Sequence, residues 1–175
     1  MTECTTGSLM QIAYVVEDID LAVKHWAEKL GVAPFFVTRH AKYSKLTYQG
    51  EQAYCDISLA FAYSGDYQIE LVQQHNDMPS VFRDFVERNG FGMHHVGILA
   101  EDLEEEILKL AARGVDPVQH CISELGVEAI FFNCDLHPGG MLELIQATPV
   151  LSAAFSYMKD AAKNWDCTSP YLIEY

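Results

Sequence analysis

Two stretches of this chain repeat each other, and the repeat limits the folds open to it. Gln11-Ile-Ala-Tyr-Val-Val-Glu-Asp-Ile-Asp20 runs on to Leu30-Gly31-Val32, and His95-Val-Gly-Ile-Leu-Ala-Glu-Asp-Leu-Glu104 runs on to Arg113-Gly114-Val115. The copies also close alike, with Ile69-Glu70-Leu71-Val72-Gln73 against Leu142-Glu143-Leu144-Ile145-Gln146. Two copies half a chain apart mean a duplicated module, because a solenoid needs three or more repeats to bury its core. The polar residues that fall in register, Gln11 with His95 and Glu70 with Glu143, are all metal-ligand types.

Each copy opens with a β-branched apolar run and then a helix. Asp18 offers an N-cap, and Ile19, Ala22, Val23, Trp26, Ala27 and Leu30 form one apolar stripe closed by Gly31. The second copy has Asp102 as cap, Leu103, Ile107, Leu110 and Ala111 as stripe, and Gly114 as stop. Three further strands follow in each. They are expected near 34–39, 44–62 (with a break at Gln49-Gly50) and 67–73, then near 117–121, 126–133 and 141–146. The fold class is therefore α+β, with two tandem βαβββ modules. The expected layout is an N-terminal extension over 1–9, modules over 10–75 and 94–148, a linker helix within 76–93, and a tail over 149–175. In the linker, Pro79 starts a helix that places Val81, Phe82, Phe85 and Val86 on one face. The tail carries a short helix over Ser152 to Lys163 and an aromatic end, Trp165, Tyr171 and Tyr175, which packs on the body or on a partner subunit.

Composition narrows the function. A net charge of −14 argues against nucleic acid and anionic membrane as partners, since both need basic surface. Arg39, Lys42 and Lys45, with His40, are the one dense basic cluster. It is either a solvated strand edge or the landing place for an anionic ligand tail. Cys4, Cys55, Cys121, Cys134 and Cys167 show no CxxC spacing, which suits reduced thiols in a cytoplasmic protein. No apolar run approaches the ~18 residues of a membrane span.

Strand alternation puts Gln11 on a face with Ala13 and His95 on a face with Gly97, so small neighbours leave room beside each polar group. Glu70 and Glu143 sit between apolar residues, where a carboxylate is costly unless paired, and neither strand offers a Lys or Arg. If the modules pair pseudo-symmetrically, the four side chains converge. One imidazole and three oxygens suit one divalent first-row ion per chain, Zn, Ni, Co or Mn, with positions left for substrate. Each residue alone is more often structural; four in register are not. His94 should point to the opposite face by alternation and serve a structural or supporting role. His25, His120, His137 and Cys134 have no partner at ligand spacing and read as structural.

With these features the chain resembles the vicinal oxygen chelate superfamily, which includes glyoxalase I, bleomycin-resistance proteins, extradiol dioxygenases and methylmalonyl-CoA epimerase. The resemblance covers residues 10–148. It rests on the strand at Gln11, on Gly92-Met-His-His-Val-Gly-Ile98, on His137-Pro138 and on Leu142-Glu143-Leu144. It implies paired modules forming an open, curved mixed sheet around a metal held by Gln11, Glu70, His95 and Glu143. Pro79 to Gly90, leading into the Gly-x-His-His strand, resembles the methylmalonyl-CoA epimerase-like branch. That branch usually has His at the first ligand position and Gln at the second; Gln, Glu, His, Glu is the set of eukaryotic-type glyoxalase I. The two catalytic bases of the epimerases would map to Glu143 and Asp56, the latter one methylene shorter than the family's Glu.

The leading reading is a divalent-metal-dependent isomerase or epimerase that removes a proton α to a carbonyl through a metal-stabilised enediolate. Glu143 is the first base, and Asp56 or Glu70 the second. The substrate is a small molecule, an acyl thioester or keto compound, and a homodimer is expected. A glyoxalase I-type lyase uses related chemistry but predicts a cationic pocket, against which the scarcity of Arg counts. An extradiol dioxygenase usually wants two His and one carboxylate. A non-enzymatic small-molecule-binding or resistance protein on the same fold lacks the ligand set.

Overall fold

Capping chemistry sets where the helices begin. The Asp18 side chain accepts from Leu21 N–H at 2.9 Å, which starts α1 (Ile19–Leu30), and left-handed Gly31 ends it. Ser80, one residue past the expected proline, caps α2 (Val81–Asn89), and Asp102 caps α3 (Leu103–Ala111). Thr148 caps α4 (Pro149–Asn164), a longer helix than the tail's pattern indicated. These elements belong to a computed structural model that describes residues 7–174, so Cys4 and Tyr175 lie outside the described residues.

The strands are β1 (Leu9–Val15), β2 (Phe35–Thr38), β3 (Tyr43–Tyr48), β4 (Glu51–Gln52), β5 (Ile57–Ser64) and β6 (Tyr67–Gln74) from the first half. From the second come β7 (Gly92–Ala100), β8 (Pro117–Ser123), β9 (Glu128–Asn133), β10 (Met141–Gln146) and the short β11 (Leu172–Glu174). They form one open mixed sheet in the order β11-β2-β5-β6-β1-β7-β10-β9-β8-β3-β4. The two halves join within the chain through antiparallel β1 and β7, and each first strand pairs in parallel with its own closing strand.

The sheet differs from the expected layout over 44–62, and it gains β11 from the tail. The segment expected as one strand over 44–62 is the hairpin β3–β4, a departure from the sheet over residues 53–56, and then β5. The hairpin pairs not with its own half but with β8, at the far end of the sheet. This forces curvature. Strands β2 and β3 stand eight strand spacings apart, roughly 38 Å along a flat sheet. Only residues 39–42 connect them, and five extended Cα steps reach roughly 17 Å. The sheet must curl until its ends approach.

Helices α1 and α3 cover the convex face, α1 on Ile69 and Leu71 and α3 on Ile98, Leu142 and Leu144. The concave face holds Val15, Val72, Phe131, Met141 and Ile145, and α2 inserts Val81, Phe82 and Phe85 against them. The tail packs on the body. Met158 and Phe155 of α4 cover Phe36, Phe61 and Tyr63 on the concave side of the first half, while β11 extends the sheet beside β2.

Candidate metal centre

The register brings the four ligand-type residues onto two neighbouring rungs. Ala13 lies opposite both Glu70 and His95, and Gly97 lies opposite both Gln11 and Glu143. Rungs two residues apart share a face, so all four side chains rise from the same concave patch with a small residue between each pair. All four are buried, at 1–6 % exposure.

His95 Nε2 lies 3.0 Å from Glu70 Oε2 and 3.3 Å from Glu143 Oε2. The Glu70 contact is a hydrogen bond, whereas Glu143 Oε2 has no hydrogen-bond partner. Burial alone would push His95 down, but Glu143 and Glu70 outweigh it and hold the imidazole at about 9. Burial, reinforced by Glu143, keeps Glu70 above the ordinary carboxylate range. Gln11 Nε2 donates to Gln68 Oε1 at 2.8 Å, which leaves Gln11 Oε1 buried and unpartnered over Gly97.

These residues fit a divalent ion. Potential donor atoms of Glu70, His95 and Glu143 lie within 4.8 Å of one another, two carboxylates balance a dication, and two buried oxygens lack partners. Gln11 brings its free oxygen to the same patch from the neighbouring strand.

His94 departs from the alternation. Ala13 pairs with His95 and Tyr14 with Met93, so His94 is the extra residue of a β-bulge. Instead of facing the convex side, its ring sits among Phe82, Phe85 and Phe131, with Nδ1 2.8 Å from His95 Nδ1 and Nε2 3.2 Å from the Val81 carbonyl. That carbonyl can only accept, so His94 Nε2 carries the proton. Burial and then the charge on His95 hold His94 well below its ordinary pKa, so its Nδ1 is an acceptor. His95 Nδ1 therefore donates to it, and Nε2 is the nitrogen turned toward the carboxylates.

The structure does not bring Asp56 to this patch. Residues 53–56 have left the sheet, and Asp56 precedes β5 by one residue and stands five residues before Phe61, the partner of Glu70, which is roughly 16 Å along a strand. Its carboxylate lies 2.7 Å from His40 Nδ1, and Tyr54, expected on the same strand face, is exposed. The basic cluster is divided: Arg39 is tied to Asp20 and Glu174, whereas Lys42 and Lys45 line a cavity. His120 pairs with Glu128 at 2.7 Å, and the His137 ring packs over Gly140; neither joins the centre. Sequence reasoning missed Gln68. Its position two residues before Glu70 on the same strand face was the available signal.

Residues 10–131 match the sequence profile of the Glyoxalase/Bleomycin resistance protein/Dioxygenase superfamily, and the chain belongs to that superfamily. Solved structures share the fold at low identity. A methylmalonyl-CoA epimerase from Mycobacterium tuberculosis is 22% identical with a TM-score of 0.58, covering 87% of this chain and 95% of its own. A hypothetical protein from Bacillus halodurans C-125 is 20% identical with a TM-score of 0.58, covering 81% and 94%. A Streptomyces coelicolor methylmalonyl-CoA epimerase in complex with 2-nitronate-propionyl-CoA is 15% identical with a TM-score of 0.53, covering 83% and 97%. No curated protein sequence matches the chain significantly. No helix among the described residues is long and apolar enough to cross a membrane.

Proposed function

We propose that this protein is a divalent-metal-dependent isomerase or epimerase that moves a proton at the carbon α to a carbonyl of an acyl thioester or keto compound. The observation that carries the reading is the buried Glu70–His95–Glu143 group, with Gln11 Oε1 unpartnered beside it. Gln11, Glu70, His95 and Glu143 would hold the ion, which supplies a Lewis acid for a carbonyl oxygen when bound.

The chain's own residues do the rest. Glu143, whose Oε2 has His95 Nε2 as an ion-pair contact at 3.3 Å, is the first candidate to take the α-proton, and Glu70 is the second carboxylate able to return one. A carboxylate that serves both as ligand and as base would have to loosen from the ion at that moment. His95 keeps its orientation through His94, and Phe131, with ring centroids 5.1 Å from His95, excludes water from that side. Asp56 is not assigned a role, because its carboxylate is engaged by His40.

The test is elemental analysis of protein purified without tag or chelator, paired with proton exchange in deuterated water. About one Zn, Ni, Co or Mn per chain, with α-proton exchange that Glu143→Gln reduces at least a hundredfold, supports the reading. A chain that cannot be loaded with metal overturns it.

A further inference from the structure

One rung of the sheet carries a row of polar side chains into the centre. By register Gln68 on β6 lies opposite both Gln11 on β1 and Tyr63 on β5, so the three stand side by side on the concave face. All three are buried, and Gln68 has no exposure at all. Gln11 Nε2 donates to Gln68 Oε1 at 2.8 Å, and Gln68 Nε2 donates to the Tyr63 hydroxyl at 3.4 Å. The outer end of the row sits under α4, where Met158 packs with Tyr63 and Phe36. The inner end is Gln11 Oε1, the buried oxygen without a partner.

A primary amide has a donor end and an acceptor end of nearly equal size, so shape alone does not decide which of them faces the centre. Hydrogen bonding does. A reversed Gln11 would set its carbonyl against the Gln68 carbonyl, two acceptors face to face, and would turn an NH2 toward the place of a cation. If Gln68 reversed as well, the Tyr63 hydroxyl would have to change from acceptor to donor. The row therefore reverses only as a unit.

We propose that Gln68 is a positioning residue for the metal centre: it holds the Gln11 amide with its oxygen inward, and Tyr63 anchors it beneath α4. This rests on the reading of the centre as a metal site, since a cation is what distinguishes an inward oxygen from an inward NH2. Gln68 itself does not belong to the ligand set. It acts through Gln11, as a partner on the far atom of a ligand does elsewhere.

The experiment compares the wild type with Gln68→Met and Gln68→Glu, all as full chains. Methionine fills a similar space but cannot accept from Gln11. A carboxylate accepts from both Gln11 and the Tyr63 hydroxyl, so it keeps the Gln11 oxygen inward. Affinity for Zn, Ni, Co and Mn is read by competition with a chromogenic chelator. The Gln11 side-chain amide is read by 1H–15N NMR on the metal-free protein. Gln68→Met should lower metal affinity roughly 10–100-fold, the usual effect of losing a group that orients a ligand, and Gln68→Glu should stay near the wild type. A residue that only filled the rung would give the opposite order, because burying a carboxylate is more disruptive than burying a thioether. The downfield shift of the bonded Gln11 amide proton should disappear in the Met variant and persist in the Glu variant. Tyr63→Phe, which removes the anchoring oxygen and keeps the ring, should lower metal affinity less than Gln68→Met does.

Two outcomes overturn the proposal: a Met variant that binds metal as tightly as the wild type, or a Gln11 amide signal indifferent to residue 68. If that signal follows residue 68 but the wild type takes up none of the four metals, the positioning of Gln11 stands and the metal reading falls.

Discussion

His94 Nδ1 stands 2.8 Å from His95 Nδ1, and the bond exists because a bulge turns two successive histidines onto one face. The Val81 carbonyl fixes the far nitrogen of His94, so a backbone group at the start of α2 orients the imidazole at the centre. Ligating histidines are usually held this way by an acceptor on the second nitrogen. Here the acceptor is another histidine, kept neutral by burial.

His94→Leu keeps the volume and removes the acceptor. Metal affinity should fall roughly 10–100-fold, the usual effect of losing such a partner, as read by competition with a chromogenic chelator. His94→Gln, whose carbonyl can accept from His95, should recover part of it. Equal affinity in the wild type and the Leu variant would show that His95 needs no such support.

Gly97 makes room for Gln11. A Cβ at position 97 would lie 2.4 Å from Gln11 Oε1 and 2.9 Å from Gln11 Cβ, so Gly97→Ala must displace that side chain or part the strands. Overpacking of this kind costs about 1–3 kcal/mol. Thermal unfolding should show the loss in the metal-free protein. The displaced Gln11 should also lower metal affinity, so a variant as stable and as tight as the wild type would rule out the crowding.

The duplicated frame made most of this centre legible. Gln11, Glu70, His95 and Glu143 could be placed on one face by period-two alternation, and Ala13 and Gly97 between them follow from the same count. What the count could not show is where alternation breaks. A bulge adds one residue without changing composition, so strict alternation puts His94 on the wrong face. The β3–β4 hairpin was equally hidden. Its pairing with β8 depends on the curl of the whole sheet, which a local apolar pattern over 44–62 does not record. The same pattern does not record that residues 53–56 leave the sheet before β5 begins, which takes Asp56 off the strand.

Phe82 joins α2 to the centre. It is buried at 3 % exposure, edge-on to Phe131 at 5.4 Å and 5.1 Å from the His94 ring. Phe82→Ala should cost about 3–5 kcal/mol by cavity formation, measured by urea unfolding. Because α2 also supplies the Val81 carbonyl, metal affinity should drop as well. A stability loss with metal affinity untouched would detach the helix from the centre's orientation.

The pH dependence of the metal-free chain follows from His95. Its folded value of about 9 lies above the ordinary ~6.5 because Glu143 and Glu70 outweigh the effect of burial. A raised folded value means that the folded state binds the proton more tightly. The stabilisation is therefore fully present below pH ~6.5 and is lost as the pH rises through about 9. Net negative charge also grows over this range, so the useful quantity is the difference between wild type and Glu143→Gln, in which one of the two carboxylates is neutral. The melting temperature of the metal-free wild type should fall more steeply between pH 6.5 and 9 than that of the variant. With metal loaded, a ligand role for His95 would replace its proton, and the extra slope should vanish. Parallel curves for the two metal-free proteins would show that His95 does not carry a proton shared with Glu143.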